Sequence, residues 1–251
     1  MKLTTQHVAQ DRALFAEQIV GVVSHDLRTP LTAIRIGVDL LGVAELDPSL
    51  MRLVSRMNGA TRRAQRLIED LLDFTQARMG GRLPVVRQPM NIHTCVGDAL
   101  AELSLAFPSG HFVHVKTGDG DCIGDRDRLV QALSNLVANA VAYGDPGRPI
   151  AITSATRGHW CAVSVHNEGK VIVTSSVPTL FEPMVRGDAG WSKSRSIGLG
   201  LFIVREIARA HMGDVVAASS RARGTRFTIR FPARPPEVRV ANRARERQKK
   251  E

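Results

Sequence analysis

Along the first third of this chain apolar residues recur every three or four positions, and beyond Met79 they stop doing so. Val20, Val23, Leu27, Leu31, Ile34, Val38 and Leu41 form one series. Leu50, Leu53, Met57, Ala60, Ala64, Leu67, Leu71 and Phe74 form a second. Steps of three and four put each series on one face of an α-helix. Glu45-Leu46-Asp47-Pro48-Ser49 between them reads as a turn, with Asp47 and Ser49 flanking Pro48 at the start of the second helix. Two helices joined this way make an antiparallel hairpin, which alone buries its two seams poorly. Pairing two hairpins into a four-helix bundle covers both, so the pattern predicts a homodimer. Pro30 predicts a kink in the first helix.

Met79-Gly80-Gly81-Arg82-Leu83-Pro84 ends the helical pattern and marks a domain boundary. Beyond it, strand-like runs near Val113, Ile152, Val163 and Phe227 are interleaved with helices near Thr94–Ala106, Asp125–Tyr143 and Leu199–His211. Strands and helices mixed without regular βαβ alternation predict an α+β fold, a sheet with helices on one face. The expected organisation is a helical hairpin over residues 1–80, an α/β sandwich over 84–233 closed by a Pro-rich end, and a basic tail over 234–251.

A length of 251 residues suits one large or two modest domains. Hydrophobic content of 43% and charged content of 23% are those of a soluble globular protein. The net charge of +10 raises nucleic acid as a partner, but aromatics at 4% supply no base-stacking surface, and no nucleic acid is expected. Part of the charge is local: seven Lys/Arg stand against three Glu from Arg234 onward, a solvated disordered tail. Cys95, Cys122 and Cys161 match no metal or CxxC spacing and read as reduced, buried thiols of a cytosolic protein. No apolar leader and no run near the ~18 residues of a membrane helix is present, so a cytoplasmic protein with no membrane insertion is expected.

Chemistry-bearing residues occur in five places. His25 lies two residues from both Val23 and Leu27, so it projects away from the seam into solvent. Asp26 beside it can hold the Nδ1 proton and leave Nε2 free to attack, and Thr29 and Pro30 follow. Asn135 and Asn139, four apart, share a helix face where their amide oxygens suit a hard cation such as Mg²⁺. Asn at that spacing is more often a packing feature when it stands alone. Asn167 and Gly169 close the strand-like run before Val171. Phe181, Pro183, Arg186 and Gly187 precede a polar Gly- and Ser-containing stretch with the composition of a mobile lid. Gly198 and Gly200 open a helix, where small residues and helix N–H groups favour a polyphosphate.

Val22 to Leu31, with its HDLRTPL core, resembles the phosphoacceptor box of bacterial sensor histidine kinases, and the four later motifs resemble that family's ATP-site boxes in their order. The resemblance runs from about Ala13 to Pro232. It implies a dimeric phosphotransfer hairpin followed by a Bergerat-type ATP-binding domain. It also implies ATP and Mg²⁺ held by Asn135 and Asn139, with Tyr143 near the nucleotide and adenine against Asn167 and Gly169. Arg186, Gly198 and Gly200 would lie at the phosphates. The implied reaction is autophosphorylation of His25 and transfer to an aspartate of a response-regulator receiver domain, with Thr29 positioning water if the protein is also a phosphatase. Sensor input would reach this chain from another protein or through its N-terminal helix.

Three positions depart from the family pattern. Asn167 stands where Asp is usual, Val171 where a second Gly is usual, and Ala142 where a basic residue is common. The HNxG form resembles that of phytochrome-type histidine kinases, and a neutral Asn oxygen accepts a hydrogen bond more weakly than a carboxylate. The alternative reading is a pseudokinase acting as a dimeric docking scaffold. An ATPase of the chaperone or mismatch-repair kind has no need of the HDLRTP hairpin.

Overall fold

The computed structural model describes residues 27, 29–42, 47–78, 82–185 and 198–234. Helix α1 occupies residues 29–42, and α2 spans Pro48–Arg78. The start of α2 follows from its first three residues. Pro48 carries no N–H to leave unpaired, and Asp47 Oδ1 accepts from the backbone N–H of Ser49 at 2.7 Å and of Leu50 at 3.1 Å. Asp47→Ala is expected to lower stability, read as a melting curve shifted to lower temperature.

The two helices form the expected hairpin, and Asn58 Nδ2 donates to Asp39 Oδ1 across it at 2.9 Å. Val38 is buried, but Leu27, Ile34, Leu41, Leu50, Leu53 and Met57 remain exposed. The apolar stripe is wider than one hairpin covers. His25, Asp26 and Arg28 lie outside the described residues, as does most of the chain before the kink expected at Pro30.

Beyond the hairpin come β1 (Gln88–Asn91), α3 (Ile92–Ala106), β2 (Phe112–Thr117), β3 (Asp121–Gly124) and α4 (Arg126–Tyr143). They are followed by β4 (Ile150–Arg157), β5 (Trp160–Asn167), a 3₁₀ turn (Thr174–Thr179), α5 (Gly200–Ala210), β6 (Asp214–Ser220) and β7 (Gly224–Pro232). Five strands pair in the order β2-β4-β5-β7-β6, parallel only between β2 and β4. Strands β1 and β3 make a separate antiparallel ladder. Alternate residues of the sheet (Ile152, Val163, Val165, Ile229, Phe231) point inward and meet Val96, Leu133, Leu136, Ile203 and Ile207 of α3, α4 and α5. The α+β sandwich is therefore as expected.

Three strands escape the sequence pattern. Gln-Pro-Met-Asn and Asp-Cys-Ile-Gly are four residues each, too short for a period of two to register, and β6 turns to small residues after Val216. Helix α3 also starts two residues before Thr94, because Asn91 Oδ1 accepts from the N–H groups of His93 and Thr94 at 3.0 and 3.2 Å. Cys95, Cys122 and Cys161 are free and buried, and burial pushes the Cys95 thiol up to about 11. No described helix is long and apolar enough to cross a membrane.

Candidate functional site

The C-terminal half of α4 forms the floor of the site. Asp125 caps this helix by accepting from Arg128 N at 3.1 Å, and Leu129, Leu133, Leu136, Val137 and Ala140 bury one face in the core. The stripe beside that face carries Asn135, Asn139 and Tyr143, each half-buried and four residues from the next.

Helix α5 begins against this stripe. Asn135 Nδ2 donates to the Gly200 carbonyl at 3.4 Å, and the Gly200 Cα faces the Asn135 side chain closely enough that an added Cβ would lie 3.5 Å from Asn135 Cγ. Leu199 occupies the N-cap position and gives no side-chain hydrogen bond to the helix. Among the described residues no side chain caps the first-turn N–H groups, which carry the positive end of the helix dipole. Gly198 has φ of +82°, and a Cβ there would come within 2.9 Å of the Val185 carbonyl oxygen. Met184 N donates to the Gly198 carbonyl at 3.0 Å, so the two flanks of residues 186–197 meet at the mouth of α5. The expected lid and Arg186 lie outside the described residues.

The other wall is the end of β5. Asn167 is buried, its Nδ2 donating to the Glu168 carbonyl at 3.3 Å. Gly169 has φ of +152° and bridges to Gly144, and a Cβ on it would sit 2.5 Å from the Tyr143 carbonyl oxygen. Only glycine lets these two backbones touch. Thr225 pairs with Asn167 across β5 and β7, and its hydroxyl bonds Ser219 Oγ at 2.7 Å. Ser219 Oγ in turn accepts from Ile172 N at 3.0 Å, tying down the chain just after Gly169. Ser219 and Gly144 were not visible as site residues in the sequence, since a serine in a strand and a glycine in a turn are commonplace.

Phe181 is buried edge-on to Phe227 at 6.2 Å. Arg205 Nη1 donates to Glu182 Oε1 at 2.9 Å and holds that carboxyl below the usual range. The fold thus gathers Asn135, Asn139, Tyr143, Asn167, Gly169, Gly198 and Gly200 around one end of the sandwich. Thr29 is exposed on α1. A helix start between glycines suits an anionic polyphosphate, and two neighbouring amide oxygens suit a hard cation that brings its own phosphates and waters. The residues present therefore fit a nucleoside triphosphate with Mg²⁺.

Residues 124–235 match the family described as "Histidine kinase-, DNA gyrase B-, and HSP90-like ATPase", and residues 16–80 match the "His Kinase A (phospho-acceptor) domain". The chain is a sensor histidine kinase catalytic core. Among curated relatives, this core is 34% identical over 218 residues to the probable sensor histidine kinase TcrY of Mycobacterium tuberculosis, covering 86% of this chain and 45% of that protein. It is 29% identical over 240 residues to a bacteriophytochrome of Pseudomonas aeruginosa, covering 95% of this chain and 32% of that one. The chain thus spans less than half the length of these two relatives. Among solved structures, full-length ShkA in complex with AMPPNP superposes with a TM-score of 0.65 at 24% identity, over 86% of this chain and 45% of that one. The Acinetobacter baumannii histidine kinase AdeS superposes at 0.58 and 23% identity, over 83% of this chain and 98% of that one. At these identities the two structures speak for the fold of the histidine kinase core alone.

Proposed function

We infer that this chain is an ATP-dependent protein-histidine kinase that phosphorylates itself on His25 and passes the phosphoryl group to an aspartate of a response-regulator receiver domain. The observation that carries the reading is the start of α5, which lies between Gly198 and Gly200 with no cap from the Leu199 side chain and is set against Asn135.

In this reading Asn167 Oδ1 accepts from the adenine amino group, and Tyr143 and Gly169 wall the base. The backbone N–H groups at Gly198 to Gly200 hold the phosphates, and Arg186 reaches them from the lid. Asn135 and Asn139 hold Mg²⁺, which neutralises phosphate charge when bound. His25 Nε2 attacks the γ-phosphorus of ATP. A P–N bond forms, the P–O bond to the β-phosphate breaks, and ADP leaves. Asp26 accepts a hydrogen bond from Nδ1–H and so keeps Nε2 unprotonated. The P–N bond then breaks as the regulator's carboxylate takes the phosphoryl group. If the protein is also a phosphatase, Thr29 would orient the water that attacks the regulator's aspartyl phosphate and releases inorganic phosphate. The exposed apolar stripe of Ile34, Leu41, Leu50 and Leu53 supports pairing with a second copy.

The test is incubation of the chain with γ-labelled ATP and Mg²⁺. Acid-labile label is expected on the wild type and none on His25→Ala. The rival reading, a docking scaffold without kinase activity, draws on Asn167, Val171 and Ala142, and calorimetry with an ATP analogue separates the two. Heat of binding is expected from the kinase and none from a scaffold with a lost site.

A further inference from the structure

Near its C-terminal end α2 buries a charge where a bundle helix ordinarily places apolar side chains. Asp73 is 5% exposed. Arg128 Nη1 donates to both of its carboxylate oxygens at 2.9 Å, Gln131 Nε2 donates to Oδ2 at 2.7 Å, and Arg128 Nη1 also reaches Gln131 Oε1 at 3.0 Å. Next to it Phe74 packs edge-on against Phe202 of α5, ring centres 5.6 Å apart. The cluster therefore joins the helical hairpin to the two helices that build the nucleotide site.

Stability alone is a poor reason for such a cluster. Withdrawing a carboxylate and a guanidinium from water costs several kcal/mol each, and an apolar pair of similar volume would hold the two units together as well. A greasy contact, however, tolerates sliding and rotation. A carboxylate held by two different donor side chains accepts one orientation. What the charge adds at this joint is a fixed docking geometry.

Two placements say what that geometry serves. Arg128, Gln131, Asn135 and Asn139 are spaced three, four and four apart, so they lie along one stripe of α4. The face that meets Asp73 at one end is the face that lines the candidate site at the other. In the hairpin, the Asn58–Asp39 bond sets the register, and antiparallel helices rise equally, so Thr29 lies level with about Ile68. That is little more than one turn from Asp73. One turn earlier on α2, burial and the Asp73 charge raise the Asp70 carboxyl to about 7.

We propose that Asp73 is a positioning residue for phosphoryl transfer: bound by Arg128 and Gln131, it fixes the orientation in which the ATP-binding domain docks on α2 beside the phosphoacceptor end of the hairpin. This rests on the kinase reading above. Asp73 acts through α4, by way of Arg128 and Gln131.

The experiment uses the full chain with Asp73→Asn, Arg128→Gln and the double variant. It reads affinity for a fluorescent ATP analogue and, separately, the autophosphorylation rate at saturating ATP. Affinity is expected within about twofold of wild type, since the site stays intact, whereas the rate of either single variant falls about tenfold or more. The double variant is expected to be no slower than either single one, because both remove the same contact. A purely structural role would lower affinity, melting temperature and rate together, and that result overturns the proposal. So does an unchanged rate, or a rate that rises, which would make the contact a brake. An unlabelled wild type overturns the kinase reading and this proposal with it, whereas a labelled wild type with an unaffected Asp73→Asn overturns this proposal alone.

Discussion

Gly198→Val is expected to weaken ATP binding by about a hundredfold while leaving the fold of the sandwich intact. The position has φ of +82°, a conformation that costs a β-branched residue about 1–3 kcal/mol. A Cβ there would also lie 2.9 Å from the Val185 carbonyl and 3.1 Å from the Met184 carbonyl carbon, both backbone atoms that cannot swing aside. Relief requires the start of α5 to move, which displaces the N–H groups proposed to hold the phosphates and separates the flanks joined by the Met184–Gly198 bond. A loss of about 2.7 kcal/mol at the site corresponds to the hundredfold figure. Gly97→Ala is the control. That glycine lies within α3 with no atom near an added Cβ, so the change is expected to add about 1 kcal/mol of helix stability and leave binding unchanged. Calorimetry on both variants decides: equal affinities would mean that the mouth of α5 is not the phosphate site.

Asp70→Asn is expected to stabilise the protein at pH 8 and to do almost nothing at pH 4. Burial, then the charges of Asp73 and Glu69, raise the Asp70 carboxyl to about 7, against the opposing pull of Arg66. The unfolded chain returns this group to its ordinary value of 3.8. Between those two values the folded state binds the extra proton, so wild-type stability falls as pH rises from about 4 to about 7. Above pH 7 the folded protein carries the full penalty, at most about 4 kcal/mol for a three-unit shift. Asparagine keeps the shape and removes the charge, so the variant escapes that penalty. Denaturant melts of both proteins across this range check the sign. A variant whose advantage is the same at pH 4 and pH 8 would show that the gain is not electrostatic.

How much of this was legible beforehand depends on the range of the interactions involved. The α2 start at Pro48, the α4 span to Tyr143 and the α5 span from Gly200 agree with the sequence to within a residue or two, because caps and periodicity are local. Strands β1 and β3 were missed because a four-residue ladder is made by its partner, not by its own pattern. Asn135, Asn139, Asn167, Gly169, Gly198 and Gly200 could be nominated from motif and order alone. Ser219 could not, since its role arises only when β6 is laid beside β7 and its hydroxyl meets Thr225 and Ile172 N.

By itself, then, the chain's order of residues determined the hairpin, the α+β class and the residue types available for a nucleotide site, since each depends on neighbours a few positions apart. Only the tertiary structure decided that Tyr143 and Gly169 share a wall, that Gly200 lies against Asn135, and that Asp73 is buried under Arg128. Those pairs are separated by 26, 65 and 55 positions along the chain. Contacts at that range come from burying one common core, and no local pattern records which polar groups the burial leaves face to face.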